Sequence, residues 1–264
     1  AILIGIDTGG TYTDAVALDR DRHKVIASAK ALTTKGDLSV GVSRALAAVL
    51  AKLDPGHGVS DIGMVSVSTT LATNAVVEGH GSAIALLLIG FDDAMVERTG
   101  LRRSFPDMPI LRVDGGHDHN GVEAQPLDAA AIERHAEALR DRVSAFAIAS
   151  SFAVRNPRHE MQARDIVARV SHKPVTISRE LTSSLDAPRR AMTAVLNARL
   201  VSRISMLVAS VRNAMQQMAI EAPLMVVRGD GSLAAAAEVA LRPIETVLSG
   251  PAASMIGAKW LSGH

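Results

Sequence analysis

The first 32 residues set the narrowest limits on what this chain can fold into. Residues 2–6 are a continuous apolar run, and residues 11–18 and 24–32 are rich in Val, Ile, Ala and Thr, so three strands are expected in immediate succession. Gly9-Gly10 turns the chain after the first, and Asp19-Arg20-Asp21-Arg22 after the second. A helix is expected over residues 38–53, where Val42, Leu46, Val49, Leu50 and Leu53 fall at helical spacing, and Pro55-Gly56 ends it.

Downstream, a strand is expected at residues 64–68, a short helix at 74–77, and a strand buried on both faces at 82–89. Residues 91–126 carry mixed charge, Gly and Pro and read as loop with one short strand at 110–113. Helix at 127–143 with Asp128 as its cap, strand at 145–150, helix at 158–170 and strand at 175–178 alternate in the manner of a second α/β unit. The longest element is a helix over 188–218, whose wide apolar stripe reads as a core-packing face. A strand at 224–227 and helices at 233–240 and 252–261 complete the chain.

Composition narrows the function. With 48% apolar and 21% charged residues and a net charge of +1, the 264-residue chain is neither disordered nor a polyanion binder. Aromatic residues are only 2%, so the core must be built from Ala, Val, Leu, Ile and Met, and a base-stacking nucleic-acid platform is excluded. The absence of cysteine removes disulfides, thiolate metal sites and cysteine nucleophiles. The longest uninterrupted apolar run, residues 83–89, is far short of the ~20 residues that cross a bilayer, and no secretory-type leader opens the chain. No nucleic-acid or membrane partner and a cytoplasmic location are expected.

The chemistry concentrates in Gly5-Ile6-Asp7-Thr8-Gly9-Gly10-Thr11-Tyr12-Thr13-Asp14. Gly9 and Gly10 permit unusual dihedrals and a close approach of backbone N–H groups to an anion, and Thr8 and Thr11 add hydroxyl donors. Asp7 is suited to Mg²⁺, usually through water, and Asp14 to orienting the loop or holding a second water. The bland alternative is a β-hairpin with a Gly-Gly turn, but an acidic residue ending a buried apolar strand needs a reason.

This segment resembles the first phosphate loop of the actin, heat-shock chaperone and sugar-kinase ATPase superfamily. Four further segments narrow the resemblance to the hydantoinase/oxoprolinase family: Ser68-Thr69-Thr70-Leu71-Ala72-Thr73-Asn74-Ala75-Val76-Val77-Glu78-Gly79, Asn156-Pro157-Arg158-His159-Glu160, Arg228-Gly229-Asp230-Gly231-Ser232-Leu233, and Leu248-Ser249-Gly250-Pro251-Ala252-Ala253-Ser254. The resemblance implies an α/β, ribonuclease H-like (actin-like) ATPase fold of two lobes around the nucleotide, this chain being its N-terminal part with an additional α/β subdomain. It implies ATP and Mg²⁺ as cofactors. The implied substrate is a cyclic amide (hydantoin, 5-oxoproline) or a ketone, activated by phosphorylation for hydrolysis or carboxylation. A hydantoinase B-type subunit or fused domain and the remaining ATPase lobe are the implied partners. The expected division is a ribonuclease H-like phosphate-loop domain over residues 1–90 and a second α/β unit with the long helix over 91–264, which returns toward the nucleotide cleft.

By the same resemblance Thr8, Gly9, Gly10 and Thr11 cradle the phosphates, Asp7 holds the metal and takes part in catalysis, and Asp14 supports the loop. Thr69, Thr70, Thr73 and Asn74 line the transfer region or substrate pocket, with Thr70 and Asn74 as catalytic candidates. Asp230, Gly231 and Gly250 complete the nucleotide site. Local alternatives stand beside these roles: an N-capped helix start for the Thr-rich segment, a tight turn for Asp230-Gly231, and a Pro-initiated helix at Gly250-Pro251. The family pattern also has a second Asp-x-Gly-Gly-Thr-like loop soon after the Ser-Gly-Pro-Ala segment. None occurs before His264. The chain is therefore expected to hold half an ATP site, to bind ATP weakly and to turn over negligibly alone.

Two other functions fit the first loop: a small-molecule kinase of the same superfamily, and a non-catalytic nucleotide-binding or assembly subunit. Asp114-Gly115-Gly116-His117-Asp118-His119 raises a Zn²⁺ or Mn²⁺ site, against a solvated Gly-rich loop. His57, His80, His135, His159 and His172 read as surface or capping residues, and the Arg102-Arg103 and Arg189-Arg190 pairs as solvated faces.

Overall fold

The structure, a computed structural model, describes residues 1–34, 37–77 and 81–262. In chain order its elements are β1 (Ile2–Thr8), β2 (Tyr12–Asp19), β3 (Lys24–Leu32), α1 (Leu38–Leu50), β4 (Ile62–Thr69), α2 (Leu71–Val77), β5 (Ile84–Ile89), α3 (Asp93–Arg98), α4 (Leu101–Ser104), β6 (Ile110–Val113) and α5 (Ala129–Leu139). Then follow β7 (Ala145–Ser150), α6 (Arg158–Ser171), β8 (Val175–Ile177), α7 (Ala187–Gln217), β9 (Leu224–Val227), β10 (Leu233–Ala235), α8 (Ala236–Leu241) and α9 (Ser249–Ser262). Glu78, Gly79 and His80 of the segments named above lie outside the described residues.

The chain forms two compact units, Ala1–His80 with Arg203–His264, and Gly81–Ser202. The boundary expected near residue 90 falls earlier, because β5 pairs with β6 and β7 and so belongs wholly to the second unit. The chain also re-enters the first unit part-way along α7, so residues 203–264 belong with the phosphate loop and not with the second α/β unit.

In the first unit six strands run in the order β10-β9-β4-β1-β2-β3. β1, β2 and β3 are an antiparallel meander, while β4 and β9 run parallel to β1. This is the ribonuclease H-like arrangement that the resemblance implied. Period-two alternation sorts the side chains of β1 between two faces. Ile2, Ile4, Ile6 and Thr8 are buried, whereas Leu3, Gly5 and Asp7 are half-buried. α1 packs against the meander through Val42, Ala45, Leu46 and Val49. Gly41 permits that approach, since a Cβ there would lie 3.0 Å from the Leu32 carbonyl oxygen.

In the second unit the four strands β6-β5-β7-β8 are all parallel. Alternate residues of β5 and β7 feed two cores, as a parallel sheet covered on both faces requires. Ile84, Leu86, Leu88, Ala145, Ala147 and Ala149 pack with Ala187, Ala191, Ala194, Val195 and Ala198 of α7. Leu87, Ile89, Phe146 and Ile148 pack with Ile132, Ala136 and Leu139 of α5 and Ala163 and Val167 of α6. The alanine-rich faces explain how so large a core is filled with so few aromatic rings.

Two local features depart from the sequence reading. Residues 91–126 contain α3 and α4, the first capped by Asp92 accepting from the Met95 N–H. Residues 233–235 are a strand before α8, because the Arg228–Ser232 turn folds them back on β9. By length and composition alone α7 matches a membrane span, but 56% of its most apolar stretch is buried inside the protein.

Candidate functional site

β1 and β2 pair Asp7 with Asp14 and Thr8 with Thr13, and residues 9–11 close the hairpin, the Gly9 N–H donating to the Tyr12 carbonyl at 2.9 Å. Neither Gly9 nor Gly10 has a positive φ. What glycine supplies at position 9 is space, since a Cβ there would sit 3.1 Å from the Tyr12 carbonyl oxygen. Thr8 is fully buried and its Oγ1 has no partner among the described residues. A buried hydroxyl left unpaired costs about 1–3 kcal/mol, and this one lies on the core face of β1, opposite to Asp7.

Asp7 Oδ1 accepts a 2.6 Å hydrogen bond from Ser68 Oγ, a residue of the neighbouring β4 that the sequence reading did not single out. Asp14 is paired at the surface with Lys30 at 2.7 Å, and the Lys30 ammonium lies 4.9 Å from the centre of the Tyr12 ring. Asp7, Asp14, Ser66 and Ser68 line one side of a pocket of about 400 Å³, and Gly250, Ala253, Ser254 and Gly257 of α9 line another.

Backbone stitching fixes the mouth of this pocket. Thr69 Oγ1 donates to the Thr8 carbonyl at 3.1 Å and accepts the Leu71 N–H at 3.0 Å, capping α2. Ser249 Oγ donates to the Thr69 carbonyl at 2.9 Å and accepts from the Thr69 N–H at 3.3 Å. Thr73 Oγ1 accepts the Leu248 N–H at 2.9 Å, and Leu248 is held at φ +66, uncommon for a branched residue. The Thr69 hydroxyl is thus engaged by local backbone at the start of α2, whereas Thr73, inside α2, ties that helix to Leu248 instead. Thr70 and Asn74 are half-buried: Thr70 Cγ2 is 3.2 Å from where a Gly250 Cβ would stand, and Asn74 Nδ2 is 3.9 Å from that of Gly10.

Of the residues expected at the site, the pocket brings together Asp7, Asp14 and Gly250; Thr8, Gly9, Gly10, Thr11, Thr70 and Asn74 lie outside its lining, and so do Asp230 and Gly231. The last two form the β9–β10 turn, in which Asp230 Oδ1 accepts from the Ser232 N–H and hydroxyl at 2.9 and 2.7 Å. The Ser232 hydroxyl, and after it the Ser232 N–H, hold the Asp230 carboxyl below its ordinary value. Gly231, at φ +83, would place a Cβ 2.1 Å from Ile256 Cδ1. The turn thus packs closely against α9.

In the second unit the Asn156–Glu160 segment opens α6 and turns its polar side chains inward. The Asn156 amide donates to the Gly121 carbonyl at 3.0 Å. Glu160, fully buried, accepts from the Ser150 N–H, the Ser178 hydroxyl and the Arg179 N–H at 2.8, 2.6 and 3.0 Å. Arg190 is not solvated as expected: it is 0% exposed and donates to the carbonyls of Ser150, Ser184 and Leu185. His159 is likewise buried, not a surface residue. The sequence signal for both was helical phase: position 190 falls on the buried stripe with 187, 191 and 194.

A ribonuclease H-like sheet with an aspartate and a glycine turn at the end of its first strand defines the actin-like ATPase fold class. Within that class the chain belongs to the hydantoinase/oxoprolinase family. Residues 3–171 match the hydantoinase/oxoprolinase N-terminal region and residues 190–264 match hydantoinase/oxoprolinase. The chain is 28% identical over 270 residues to caprolactamase subunit alpha of Pseudomonas jessenii, covering 95% of this chain and 38% of that protein. It is 32% identical over 228 residues to the acetophenone carboxylase gamma subunit of Aromatoleum aromaticum, covering 74% of this chain and 30% of that protein. The crystal structure of the ATP-dependent caprolactamase from Pseudomonas jessenii superimposes with a TM-score of 0.79 at 26% identity, covering 96% of this chain and 39% of that one. Nucleotide-free acetone carboxylase superimposes with a TM-score of 0.81 at 22% identity, covering 99% and 40%, and shows the shared fold. The chain thus spans about two fifths or less of the length of these relatives.

Proposed function

We propose that this chain supplies the first phosphate loop of an ATP-dependent enzyme that activates a cyclic amide or a ketone for hydrolysis or carboxylation. The observation that carries the reading is the convergence of Asp7, held by Ser68, and Asp14 on one pocket at the end of β1, next to the Gly9-Gly10 turn. The family, and relatives described as ATP-dependent, support it.

The electrostatics of the pocket sharpen the proposal. Two carboxylates, Asp7 and Asp14, line it, and Lys30 is engaged with the second. Bare phosphate is repelled there, whereas phosphate carrying Mg²⁺ is attracted. Ser68 holds one Asp7 oxygen and leaves the other for the metal's water shell. With the Gly9 N–H bonded to Tyr12, the Gly10 and Thr11 N–H groups are those assigned to the phosphate, and α9 offers the positive end of its dipole through Gly250. Thr70, beside Gly250, and Asn74, beside Gly10, are the residues assigned to orient the acceptor. The chemistry ATP supplies is conversion of a stable amide or ketone oxygen into a phosphorylated leaving group. Phosphoryl transfer rests on positioning, so a second lobe closing over the triphosphate is part of the reading. Met255, Ile256, Trp260 and Leu261 of α9 are exposed and apolar, which supports a covering lobe or a hydantoinase B-type partner.

Co-expression with such a partner, followed by ATP hydrolysis across a panel of hydantoins, lactams and ketones, tests this. One substrate class is expected to raise phosphate release together with ring opening or carboxylation, and Asp7→Asn to abolish the rise. Accumulation of a stable phosphorylated substrate would assign a small-molecule kinase instead. No rise with any substrate would assign a nucleotide-binding assembly subunit.

A further inference from the structure

The Gly-rich hairpin of the second unit brings three metal-ligating side chains together in a way the sequence spacing did not reveal. His117 and His119 do not converge. His119 is exposed, because a turn begins at Asp118, whose Oδ1 accepts the N–H groups of Asn120 and Val122. His117 instead pairs across a β-bridge with Glu123, and its ring lies 4.3 Å from that of His159 at the start of α6. One ligand atom from each of His117, Glu123 and His159 lies within 4.8 Å of the others.

His117 is 3% exposed, and neither ring nitrogen has a hydrogen-bond partner among the described residues. A neutral imidazole carries one donor and one acceptor, so leaving both unmet in the interior is costly. His159 Nε2 is 3.2 Å from Glu123 Oε2, and its Nδ1 accepts the Gly116 N–H at 2.9 Å. Gly115 and Gly116 allow this crowding: a Cβ on Gly115 would lie 2.8 Å from Ile89 Cγ2, and one on Gly116 2.6 Å from Ser151 Oγ.

We infer that His117, His159 and Glu123 bind one divalent transition-metal ion, with Zn²⁺ as the best match to two imidazoles and a carboxylate. Tetrahedral zinc with bonds of about 2.0–2.1 Å sets its ligands about 3.3 Å apart, the His159–Glu123 pair already stands at 3.2 Å, and closing the triad needs a shift of at most about 1.5 Å between His117 and that pair. The metal takes the place of the His159 Nε2 proton that now faces Glu123. That ring then carries its proton on Nδ1, and the peptide that currently donates there lies between two glycines. It can turn to offer the Gly115 carbonyl without side-chain strain, the usual second-shell partner of a metal-bound histidine. Glu123 and His159 also line a pocket of about 470 Å³ with Arg158, Gln162 and Asp165, so the fourth coordination position opens onto space for water or a small anion.

Zn²⁺ titration of the chelator-stripped protein by calorimetry tests the site, with Co²⁺ visible absorption as a second readout. One equivalent is expected, with a tetrahedral Co²⁺ spectrum. His117→Ala and Glu123→Ala are each expected to weaken binding at least tenfold, while His119→Ala binds as the unaltered protein does. Glu123 is exposed enough that its variant retains the fold, which circular dichroism checks, so loss of metal there cannot be ascribed to unfolding. Failure of the unaltered protein to bind, or equal binding by Glu123→Ala or His117→Ala, overturns the assignment.

Discussion

Arg190→Met is expected to lower folding stability by about 3–5 kcal/mol, the usual cost of removing one partner from a buried charged network. Arg190 reaches Glu160 through Ser178, whose hydroxyl donates to Glu160 Oε1 while its oxygen accepts from Arg190 Nε at 3.3 Å. Losing the guanidinium strands three carbonyl acceptors and leaves Glu160 without a counter-charge. Burial already pushes the Glu160 carboxyl above its ordinary value, against the Ser178 hydroxyl, two backbone N–H groups and Arg190. Without Arg190 it rises further. A carboxyl raised in the folded state binds more protons there than when unfolded, so its contribution is greatest below the ordinary glutamate value and is lost as pH rises through the folded value. The Arg190→Met deficit should accordingly be smaller at pH 5 than at pH 8 in urea unfolding. Glu160→Gln combined with Arg190→Met should cost less than the two separately, because the pair acts through one network. A deficit below 1 kcal/mol, or one with no pH dependence, would remove the network from the account.

Phe146→Ala should cost a similar amount, about 3–5 kcal/mol, for a different reason. Phe146 is fully buried on β7, between β5 and β8, and packs with Leu87, Ile132, Ala136, Ile148 and Val167. The cavity it leaves is walled by strands and helices that cannot collapse into it, so a void term adds to the lost transfer energy. Phe146→Leu keeps most of the volume and should cost under about 1.5 kcal/mol. Equal urea midpoints for the two variants would show that the site relaxes, contrary to the packing described.

Periodicity made most of the fold legible. The meander, the parallel strands and the long helix follow from alternating and helical apolar spacing, and their ends were read to within a few residues. The hairpin at β9–β10 was missed because β10 is only Leu233–Ala235, too short for a period to show. Of the site, the Asp7–Asp14 loop was visible because a carboxylate ending an apolar strand has no structural excuse. Ser68 was not, since its role comes from parallel register with β1, which sets it opposite Asp7 across 61 residues. The partnership of His117 with His159 was hidden likewise: it joins a hairpin to a helix start 42 residues later, and the nearer His119 drew attention first. Gly9 was assigned a dihedral role where the structure gives it a steric one.

The central claim is that the β1–β2 loop takes phosphate only with its metal. Calorimetry of ATP binding by this chain, with Mg²⁺ and again in excess chelator, addresses it directly, beside Asp7→Asn under both conditions. The account predicts weak but measurable binding in Mg²⁺, reduced at least tenfold, or about 1.4 kcal/mol, by either chelation or Asp7→Asn, and no further loss when the two are combined. ATP binding of equal strength with and without Mg²⁺, or undiminished in Asp7→Asn, would contradict it.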